Sequence, residues 1–320
     1  MKEGGHFYVL GGPEAEQGLA AAEFEALLGS PPEDARLPWC PAAADVGKAA
    51  YVSLCAEHIA SAPDLGELCQ RAANKGLCAE GFAIRESRIP RGLEVNLREA
   101  VIGVANCITG RPNLRNPSVE FIVVARPEEW HLGRIVSESD RSWARHARKL
   151  HGYSSSICSR MARCMVNIAG RAGQTLLDPC CGAGTILIEA ASAGLEAVGC
   201  DINPLWARRA SENARQLGLL VRTFAGDARQ ISGGFDAVVT NLPYGRNARQ
   251  DTQEMQEILA NLRGLAPTLV VVSAHPLVQA LNDLGYSARL VAEVKKGNLV
   301  RRFHRCTVPR ASHGEHADQP

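Results

Sequence analysis

The sequence predicts an α/β protein whose second half is a mostly parallel, seven-stranded sheet with a C-terminal antiparallel hairpin, preceded by a smaller α+β domain. Two observations predict this fold. Strand-like and helix-like segments alternate strictly after about residue 150, which is typical of a parallel sheet covered by helices on both faces. Residues 288–308 then predict a hairpin that turns at 296–298. The short αβ units before residue 126 are expected to form the separate domain.

The predicted elements follow in order along the chain. In the N-terminal region, strands are expected at 7–10, 49–54, 82–85 and 119–125, and helices at 17–28, 64–74 and 97–109. In the second half, strands are expected at 175–178, 196–201, 221–226, 235–240 and 268–274. The resulting division is an N-terminal region at 1–125, a linker at 126–150, an α/β domain at 151–309 and a disordered tail at 310–320.

Composition narrows the class of protein. The 320 residues are 46% hydrophobic and 22% charged, which is ordinary for a soluble globular protein. No apolar run approaches the roughly 18 residues of a membrane span, and the N-terminus lacks the apolar core of a signal peptide. Eleven cysteines in such a chain indicate reduced thiols and a cytoplasmic location. Their spacing does not match a zinc site, so no metal is expected.

Basic side chains are concentrated just before the predicted parallel sheet. The stretch from residue 141 to residue 171 contains seven basic residues and no acidic ones, although the net charge of the chain is only +1. Such a stretch suits a polyanion, because each phosphate contact releases counterions. A solvated helix face is the alternative. The candidate residues of this polyanion-binding surface are Arg141, Arg145, Arg148, Lys149 and Arg160.

A glycine-rich turn follows the first strand of the α/β domain. Asp178 ends the strand, and Gly182 and Gly184 allow backbone dihedrals and close approaches that other residues do not. Leu187 stands where the third glycine of a dinucleotide fingerprint would be, which argues against NAD. The chain also lacks a P-loop sequence. The adjacent Cys180 and Cys181 are interpreted as small packing residues of the turn.

Two further carboxylates stand at strand ends. Asp201 ends the second strand, where a carboxylate accepts hydrogen bonds from the ribose hydroxyls of a nucleoside. Asp227 follows the third strand, where it is expected to accept from an adenine amino group while the next backbone N–H meets a ring nitrogen. A lone aspartate is more often a helix N-cap, but three acidic strand ends after a glycine turn favour a nucleoside site.

The sequence Asn241-Leu-Pro-Tyr244 at the end of the fourth strand is the catalytic candidate. An exocyclic amine on a nucleobase is a poor nucleophile because its lone pair is delocalised. The side-chain oxygen of Asn241 and the carbonyl of Leu242 or Pro243 would accept its protons and direct the lone pair at a methyl donor. Pro243 fixes the turn, and Tyr244 offers a face for an unstacked base. An ordinary Asn-Pro turn is the alternative.

Four segments together resemble the motif series of class I S-adenosylmethionine-dependent methyltransferases, whose catalytic domain is Rossmann-like. They begin at Asp178, Asp201, Gly226 and Asn241 and read Asp-Pro-Cys-Cys-Gly-Ala-Gly-Thr, Asp-Ile-Asn-Pro, Gly-Asp-Ala and Asn-Leu-Pro-Tyr-Gly. Within that class, the chain resembles the THUMP-domain tRNA guanine-N2 methyltransferases, in which an N-terminal RNA-binding region precedes the catalytic domain. The resemblance covers residues 150–309 well, and residues 111–121 resemble the closing strand of a THUMP domain.

The resemblance implies a cofactor, a partner and a set of site residues. S-adenosylmethionine is the implied cofactor and tRNA the implied partner, with no membrane and no metal. The segment 154–163 is similar to the family's helix that lines the methionine end of the cofactor. The implied cofactor-binding residues are Asp178, Cys180, Gly182, Gly184, Asp201, Ile202, Asp227, Ala228 and Asn241.

The tip sequence leaves the substrate open within this class. Relatives that modify position 10 of tRNA usually carry Asp-Pro-Pro-Tyr, whereas Asn241-Leu-Pro-Tyr is more similar to relatives acting on position 6, in the acceptor stem. The same tip occurs in DNA adenine-N6 and protein glutamine-N5 methyltransferases. The tip lacks a Pro-Cys nucleophile, which argues against carbon-5 pyrimidine chemistry. The expected function is methylation of a guanine N2 in tRNA; a catalytically silent RNA-binding module is the alternative outside enzymes.

Overall fold

The computed structural model describes residues 4–152, 156–243, 248–297 and 299–309. The chain forms two compact units. The first contains the residues up to Gly12 and Glu23–Asp140, and the second contains Pro13–Ala22 and the residues from Arg141 onward. Helix α1 (Gln17–Leu28) therefore contributes its first residues to the second unit and its remainder to the first.

In the described part of the first unit, six strands form one mixed sheet in the order β2-β1-β3-β6-β5-β4. Only the β4–β5 pair within it is parallel, and helix α3 lies between these two strands in the chain. The strands are β1 (His6–Leu10), β2 (Trp39–Cys40), β3 (Val52–Ala62), β4 (Phe82–Arg88), β5 (Val119–Arg126) and β6 (Glu129–Glu138). The helices are the C-terminal part of α1, α2 (Leu65–Asn74) and α3 (Leu97–Ala105).

Helices α2 and α3 begin where the sequence provides a cap. The side chain of Asp64 accepts a hydrogen bond from the Glu67 backbone N–H, and Asn96 does the same for Glu99. Each cap satisfies one of the backbone N–H groups that the first turn of a helix leaves without a partner. The two helices bury small and branched apolar residues in a core shared with β4 and β5. That core contains Leu68, Ala72, Phe82, Ala100, Val104, Phe121 and Val123.

The predicted linker at 126–150 is wrong, because residues 129–138 form strand β6. This strand pairs with β3 on one side and β5 on the other, so it lies inside the first sheet. Its sequence mixes charged residues, a histidine and a glycine, and it shows no clear alternation. Pairing on both sides overrides such a weak local preference, since strand formation depends on the neighbouring strands. Strand β3 also extends to Ala62, well beyond the predicted end at residue 54.

In the described part of the second unit, seven strands form a sheet in the order β12-β13-β11-β10-β7-β8-β9. The five strands from β11 to β9 are parallel, and β13 runs antiparallel to both β11 and β12. The strands are β7 (Thr175–Asp178), β8 (Glu196–Asp201), β9 (Arg222–Ala225), β10 (Ala237–Asn241), β11 (Thr268–Ser273), β12 (Ser287–Lys296) and β13 (Leu299–Thr307). The helices are α4 (Trp143–His146), α5 (Ser159–Ala169), α6 (Thr185–Ser192), α7 (Pro204–Gln216), α8 (Ala248–Leu262) and α9 (Val278–Asp283).

The central strands of this sheet are buried on both faces. Leu176, Leu177, Val238 and Val239 are all 0% exposed, as expected of parallel strands covered by helices on both sides. The chain moves from β7 outward through β8 to β9, and then returns to β10 on the other side of β7. The β7–β10 boundary is therefore the point where the strand order reverses, and a ligand site is expected at the carboxyl ends of these strands.

Candidate active site

A pocket opens at the carboxyl ends of β7, β8, β9 and β10. Its wall contains eight of the nine side chains or backbone positions that the sequence assigns to the cofactor, and also Pro243. The eight are Asp178, Cys180, Gly182, Asp201, Ile202, Asp227, Ala228 and Asn241. These residues are distant in sequence and meet because parallel strands end at the same edge of a sheet.

Gly184 is the one predicted cofactor residue that the structure places outside the pocket wall. It adopts a left-handed conformation, with φ at +76°, and directly precedes helix α6. A Cβ atom at this position would lie 2.8 Å from Cβ of Ala210 on α7, closer than side chains tolerate. Gly184 is therefore needed for the turn into α6 and for the close approach of α7.

The glycine turn is fastened to the end of the neighbouring strand. The backbone N–H of Gly182 donates to Asp201 Oδ2 at 2.8 Å, and the N–H of Asn203 donates to Oδ1 at 2.9 Å. The N–H of Cys181 also donates to the carbonyl of Cys200, the residue before Asp201. Asp201 thus holds the turn in place, and a carboxylate retains further lone pairs that face the pocket.

Asp178 lies at the floor of the pocket and is 2% exposed. Burial raises its pKa to about 7, and the nearby charge of Asp201 acts in the same direction. A hydrogen bond from the Cys180 backbone N–H partly opposes this rise. Burial disfavours the charged form of a carboxyl group, so Asp178 binds a proton more readily than an exposed aspartate does.

The thiols around the glycine turn are not poised for nucleophilic chemistry. Burial raises the pKa of Cys180 and of Cys181 far above its usual value, and the neighbouring carboxylates Asp178 and Asp201 raise it further. Burial likewise raises the pKa of Cys200 to about 11. Only a thiolate is a strong nucleophile, so these cysteines act as packing residues of the turn.

Asp227 is positioned by an arginine two residues later. Its carboxylate accepts from the backbone N–H of Arg229 at 2.9 Å and from the Arg229 side chain, with Nη2 lying 2.6 Å from Oδ2. The hydrogen bonds with Arg229 hold the pKa of Asp227 below its ordinary value, which keeps the carboxylate ionised. Ala228 lies beside it in the pocket wall, and Ile202 presents an apolar side chain there that is 69% exposed.

The catalytic candidate lies at the end of β10. Asn241 is the last residue of this strand and is half-buried in the pocket wall. The next residue, Leu242, is buried, and its backbone N–H donates to the carbonyl of Val272 on β11 at 3.0 Å. This bond fixes the strand end, from which Pro243 projects at the exposed side of the pocket. The prediction for Tyr244 lies outside the described residues.

Several residues of the pocket wall did not stand out in the sequence as ligand-contacting residues. Thr185 opens helix α6, and its position directly after the Gly-Ala-Gly turn was the available signal. Glu254 and Ile258 come from helix α8, which carries no recognisable motif. Ser156 and Ile157 lie just before α5, within the segment whose resemblance implied the methionine end.

The basic stretch from 141 to 171 divides into exposed and structural members. Arg141, Arg145 and Arg148 are exposed, whereas the guanidinium of Arg160 lies 5.2 Å from the ring centroid of Trp143. The structure directs Lys149 inward, where Nζ donates to Thr185 Oγ1 at 2.6 Å. The number of basic residues in a segment cannot make this distinction, because it does not show which side chains are buried by neighbouring elements.

Arg163, which belongs to the same stretch, is 0% exposed. Its Nη2 lies 2.7 Å from Oε2 of Glu189, a residue on α6 that is also 0% exposed. The second oxygen of Glu189 lies 2.9 Å from Nδ1 of the buried His146. This buried cluster links α4, α5 and α6 behind the pocket wall.

Neither a membrane-spanning helix nor a metal-binding cluster is found among the described residues. Within the ranges that the structure describes, no helix is both long and apolar enough to cross a membrane. Across those same ranges, histidine, cysteine and acidic side chains do not cluster in groups of three or more that would hold a metal ion.

Known proteins are similar to this chain in sequence or in fold. Residues 145–263 match the UPF0020 family, an RMKL-like methyltransferase domain. The chain is 30% identical over 209 residues to the tRNA (guanine(10)-N2)-dimethyltransferase of Methanothermobacter thermautotrophicus, covering 62% of this chain and 62% of that relative. It is 31% identical over 115 residues to the probable tRNA (guanine(10)-N2)-dimethyltransferase of Methanothermococcus thermolithotrophicus, covering 32% of this chain and 70% of the relative. TrmN from Thermus thermophilus has the same fold, with a TM-score of 0.51, 21% identity, and coverage of 95% of this chain and 99% of that one.

The Rossmann-like sheet and the pocket at its carboxyl edge define a class I methyltransferase fold. Within that class, the chain belongs to the family of tRNA guanine-N2 methyltransferases. It spans 62% of the length of its Methanothermobacter relative.

We expect Asp201→Ala to weaken binding of S-adenosylhomocysteine, measured by titration calorimetry. The variant loses one or two hydrogen bonds to a charged acceptor, each worth on the order of 1.5–3 kcal/mol. Asp236→Ala is the matched control, because Asp236 also accepts backbone and hydroxyl bonds, from Thr175 at 2.8 and 2.9 Å, but it does not line the pocket. Equal affinities for the folded Asp201 variant and the control would remove Asp201 from the cofactor site.

Proposed function

We propose that this protein transfers a methyl group from S-adenosylmethionine to the exocyclic N2 of a guanine in tRNA. The observation that carries the proposal is the position of Asn241 and Pro243 in the wall of the pocket that also contains Asp201 and Asp227. The same pocket thus contains two carboxylates suited to binding a nucleoside and an amide suited to accepting hydrogen bonds from an amine. Membership of the guanine-N2 family supports guanine over the other substrates of this tip sequence.

The described residues fit the cofactor in chemistry and in order along the sheet. Asp201 at the end of β8 supplies acceptors for ribose hydroxyls, and Asp227 after β9 supplies acceptors for the adenine amino group. Ile202 presents an apolar side chain against which a base can pack. When bound, S-adenosylmethionine supplies an electrophilic methyl group on a positively charged sulfur. Asn241 on β10 lies on the opposite side of β7 from these adenosine contacts.

The residues at the β10 end orient the nucleophile. Asn241 Oδ1 and the carbonyl of Leu242 or Pro243 accept the two protons of the guanine amine, which favours the pyramidal form with its lone pair free. The amine nitrogen would gain the methyl group as its carbon–sulfur bond breaks, S-adenosylhomocysteine would leave, and the proton lost by the amine would pass to water. An amide is a weak base, so Asn241 contributes by orientation and by stabilising charge that develops in the transition state.

Exposed basic side chains beside the pocket support an RNA substrate. Arg145 and Arg148 are exposed on the segment that precedes Lys149. The Nζ of Lys149 donates a hydrogen bond to Thr185, which lines the pocket. Arg141, which is also exposed on this segment, belongs to the same proposed surface. Contacts of this kind hold the phosphate backbone and are independent of sequence.

The first unit is proposed to position the RNA, as a THUMP-like domain would. The segment from Arg111 to Phe121 resembles the closing strand of such a domain, and the side chains of Arg111 and Arg115 within it are exposed. We also propose that the modified guanine lies in the acceptor stem, because the Asn241-Leu-Pro-Tyr tip is similar to that of relatives acting there. A cytoplasmic location is proposed as well.

The proposal is tested by incubating the purified protein with unmodified tRNA and methyl-labelled S-adenosylmethionine. The tRNA is then digested to nucleosides for mass spectrometry, and nuclease fragments locate the label. The expected product is N2-methylguanosine or its dimethylated form, and the Asp201→Ala variant should yield little of it. Label on N6 of adenosine, or on glutamine of an added protein, would replace guanine as the substrate. An absence of label on every substrate despite measurable cofactor binding would favour a silent RNA-binding module.

A further inference from the structure

The inward direction of Lys149 connects it to the cofactor pocket. Its Nζ donates to Thr185 Oγ1 at 2.6 Å, and Thr185 both opens helix α6 and lines the pocket. Because the Thr185 oxygen accepts from Lys149, the proton of the Thr185 hydroxyl is available to a group inside the pocket. The two side chains thus form a donor chain that begins at a positive charge.

The ammonium group of Lys149 lies near the carboxylate of Glu189, whose two oxygens already contact other side chains. Burial lowers the pKa of Lys149, and the charge of Glu189 opposes that change. Both carboxylate oxygens of Glu189 face other partners, Arg163 at 2.7 Å and His146 at 2.9 Å. Among the residues that the structure describes, no carboxylate lies within ion-pair distance of Lys149 Nζ. A partly buried positive charge beside a pocket is stabilised if the ligand brings an anion.

The charges of the pocket decide where such an anion lies. Asp178, Asp201 and Asp227 surround the edge formed by β7, β8 and β9, so a ligand carboxylate is repelled there. The Thr185 side of the pocket instead combines the Lys149 charge with the first turn of α6, which carries a partial positive charge and contributes Thr185 and Ile186 to the pocket wall. The cofactor carries one carboxylate, on its methionine part.

We propose that Lys149 is a positioning residue that acts through Thr185 to hold the methionine carboxylate of the cofactor. This inference rests on the cofactor component of the proposed function and is independent of the RNA substrate. It reassigns Lys149 from the phosphate-binding surface predicted by the charge pattern. Holding the carboxylate fixes the methionine part and, with it, the direction in which the methyl group faces Asn241.

The test compares two ligands that differ only in this carboxylate. S-adenosylhomocysteine and its decarboxylated analogue are titrated by calorimetry into the full chain and into Lys149→Met. Loss of one charge-assisted interaction should weaken S-adenosylhomocysteine roughly 10- to 100-fold while leaving the analogue unchanged. Lys149→Arg should restore part of the affinity. Arg148→Met, a change at the adjacent exposed cation, should alter neither ligand.

Thr185→Val provides a second variant of nearly the same shape, and it should show the same selective loss if Lys149→Met does not fold. Equal weakening of both ligands would indicate a structural role and overturn the proposal. Unchanged affinity for S-adenosylhomocysteine in folded Lys149→Met and Thr185→Val would also overturn it. Because neither titration contains RNA or requires turnover, a failure of guanine methylation in the mass-spectrometric assay is distinguishable from a failure here.

Discussion

Replacement of Asn241 by alanine is expected to slow methyl transfer roughly 10- to 1000-fold, because an oriented acceptor that acts mainly in the transition state is lost. Binding of S-adenosylhomocysteine should stay within a few-fold of that of the unmodified protein, since the adenosine contacts are expected from Asp201 and Asp227. Single-turnover methylation of tRNA under saturating cofactor measures the chemical step without product release.

Asn241→Asp is the informative companion variant. It keeps an acceptor oxygen at the end of β10 and should retain more activity than Asn241→Ala. Equal single-turnover rates for Asn241→Ala and the unmodified protein would show that the amide does not orient the amine. A loss of cofactor affinity as large as the loss in rate would instead assign Asn241 to cofactor binding.

Replacement of Glu189 by alanine is expected to lower the free energy of unfolding by about 3–5 kcal/mol, because it leaves the guanidinium of Arg163 buried without its carboxylate. Both side chains are 0% exposed, and Nη2 lies 2.7 Å from Oε2. Equilibrium unfolding in urea, followed by circular dichroism, measures the change at constant pH. The effect should reach the cofactor pocket as well, because α6 carries both Glu189 and Thr185.

Two matched variants separate burial from ion pairing as such. Glu196→Ala breaks the pair of Glu196 with Arg222, whose side chains are 66% and 71% exposed, and should change stability by less than about 1 kcal/mol. The double variant Glu189→Leu with Arg163→Met removes both charges of this pair and should be more stable than Glu189→Ala. A Glu189→Ala effect no larger than that of Glu196→Ala would contradict the importance of this buried pair.

The second unit could be predicted well from local sequence. The central parallel strands β7, β10 and β11 are short apolar runs followed by polar residues, and burial on both faces requires such runs. Asp178, Asp201 and Asn241 are the last residues of β7, β8 and β10. The carboxyl ends of parallel strands lie at one edge of the sheet. These three residues could therefore be predicted to lie close together, although they are far apart in sequence.

The first unit was harder to predict because its strands depend on their neighbours. Strand β6 pairs with both β3 and β5, yet its charged and irregular sequence suggested a linker. The predicted site was incomplete for a similar reason. Glu254 and Ile258 reach the pocket wall through the packing of helix α8, and no local pattern marks a helical residue as part of a distant pocket.

The sequence by itself determined the parallel sheet and the acidic and amide residues at its carboxyl edge, because strand period and turn chemistry are local properties. Only the tertiary structure decided which cations face outward. Arg145 and Arg148 remain exposed, Arg163 is buried against Glu189, and Lys149 meets Thr185. The order of residues gives each segment its charge, but the elements packed around it determine whether that charge faces water, a buried carboxylate or the cofactor pocket.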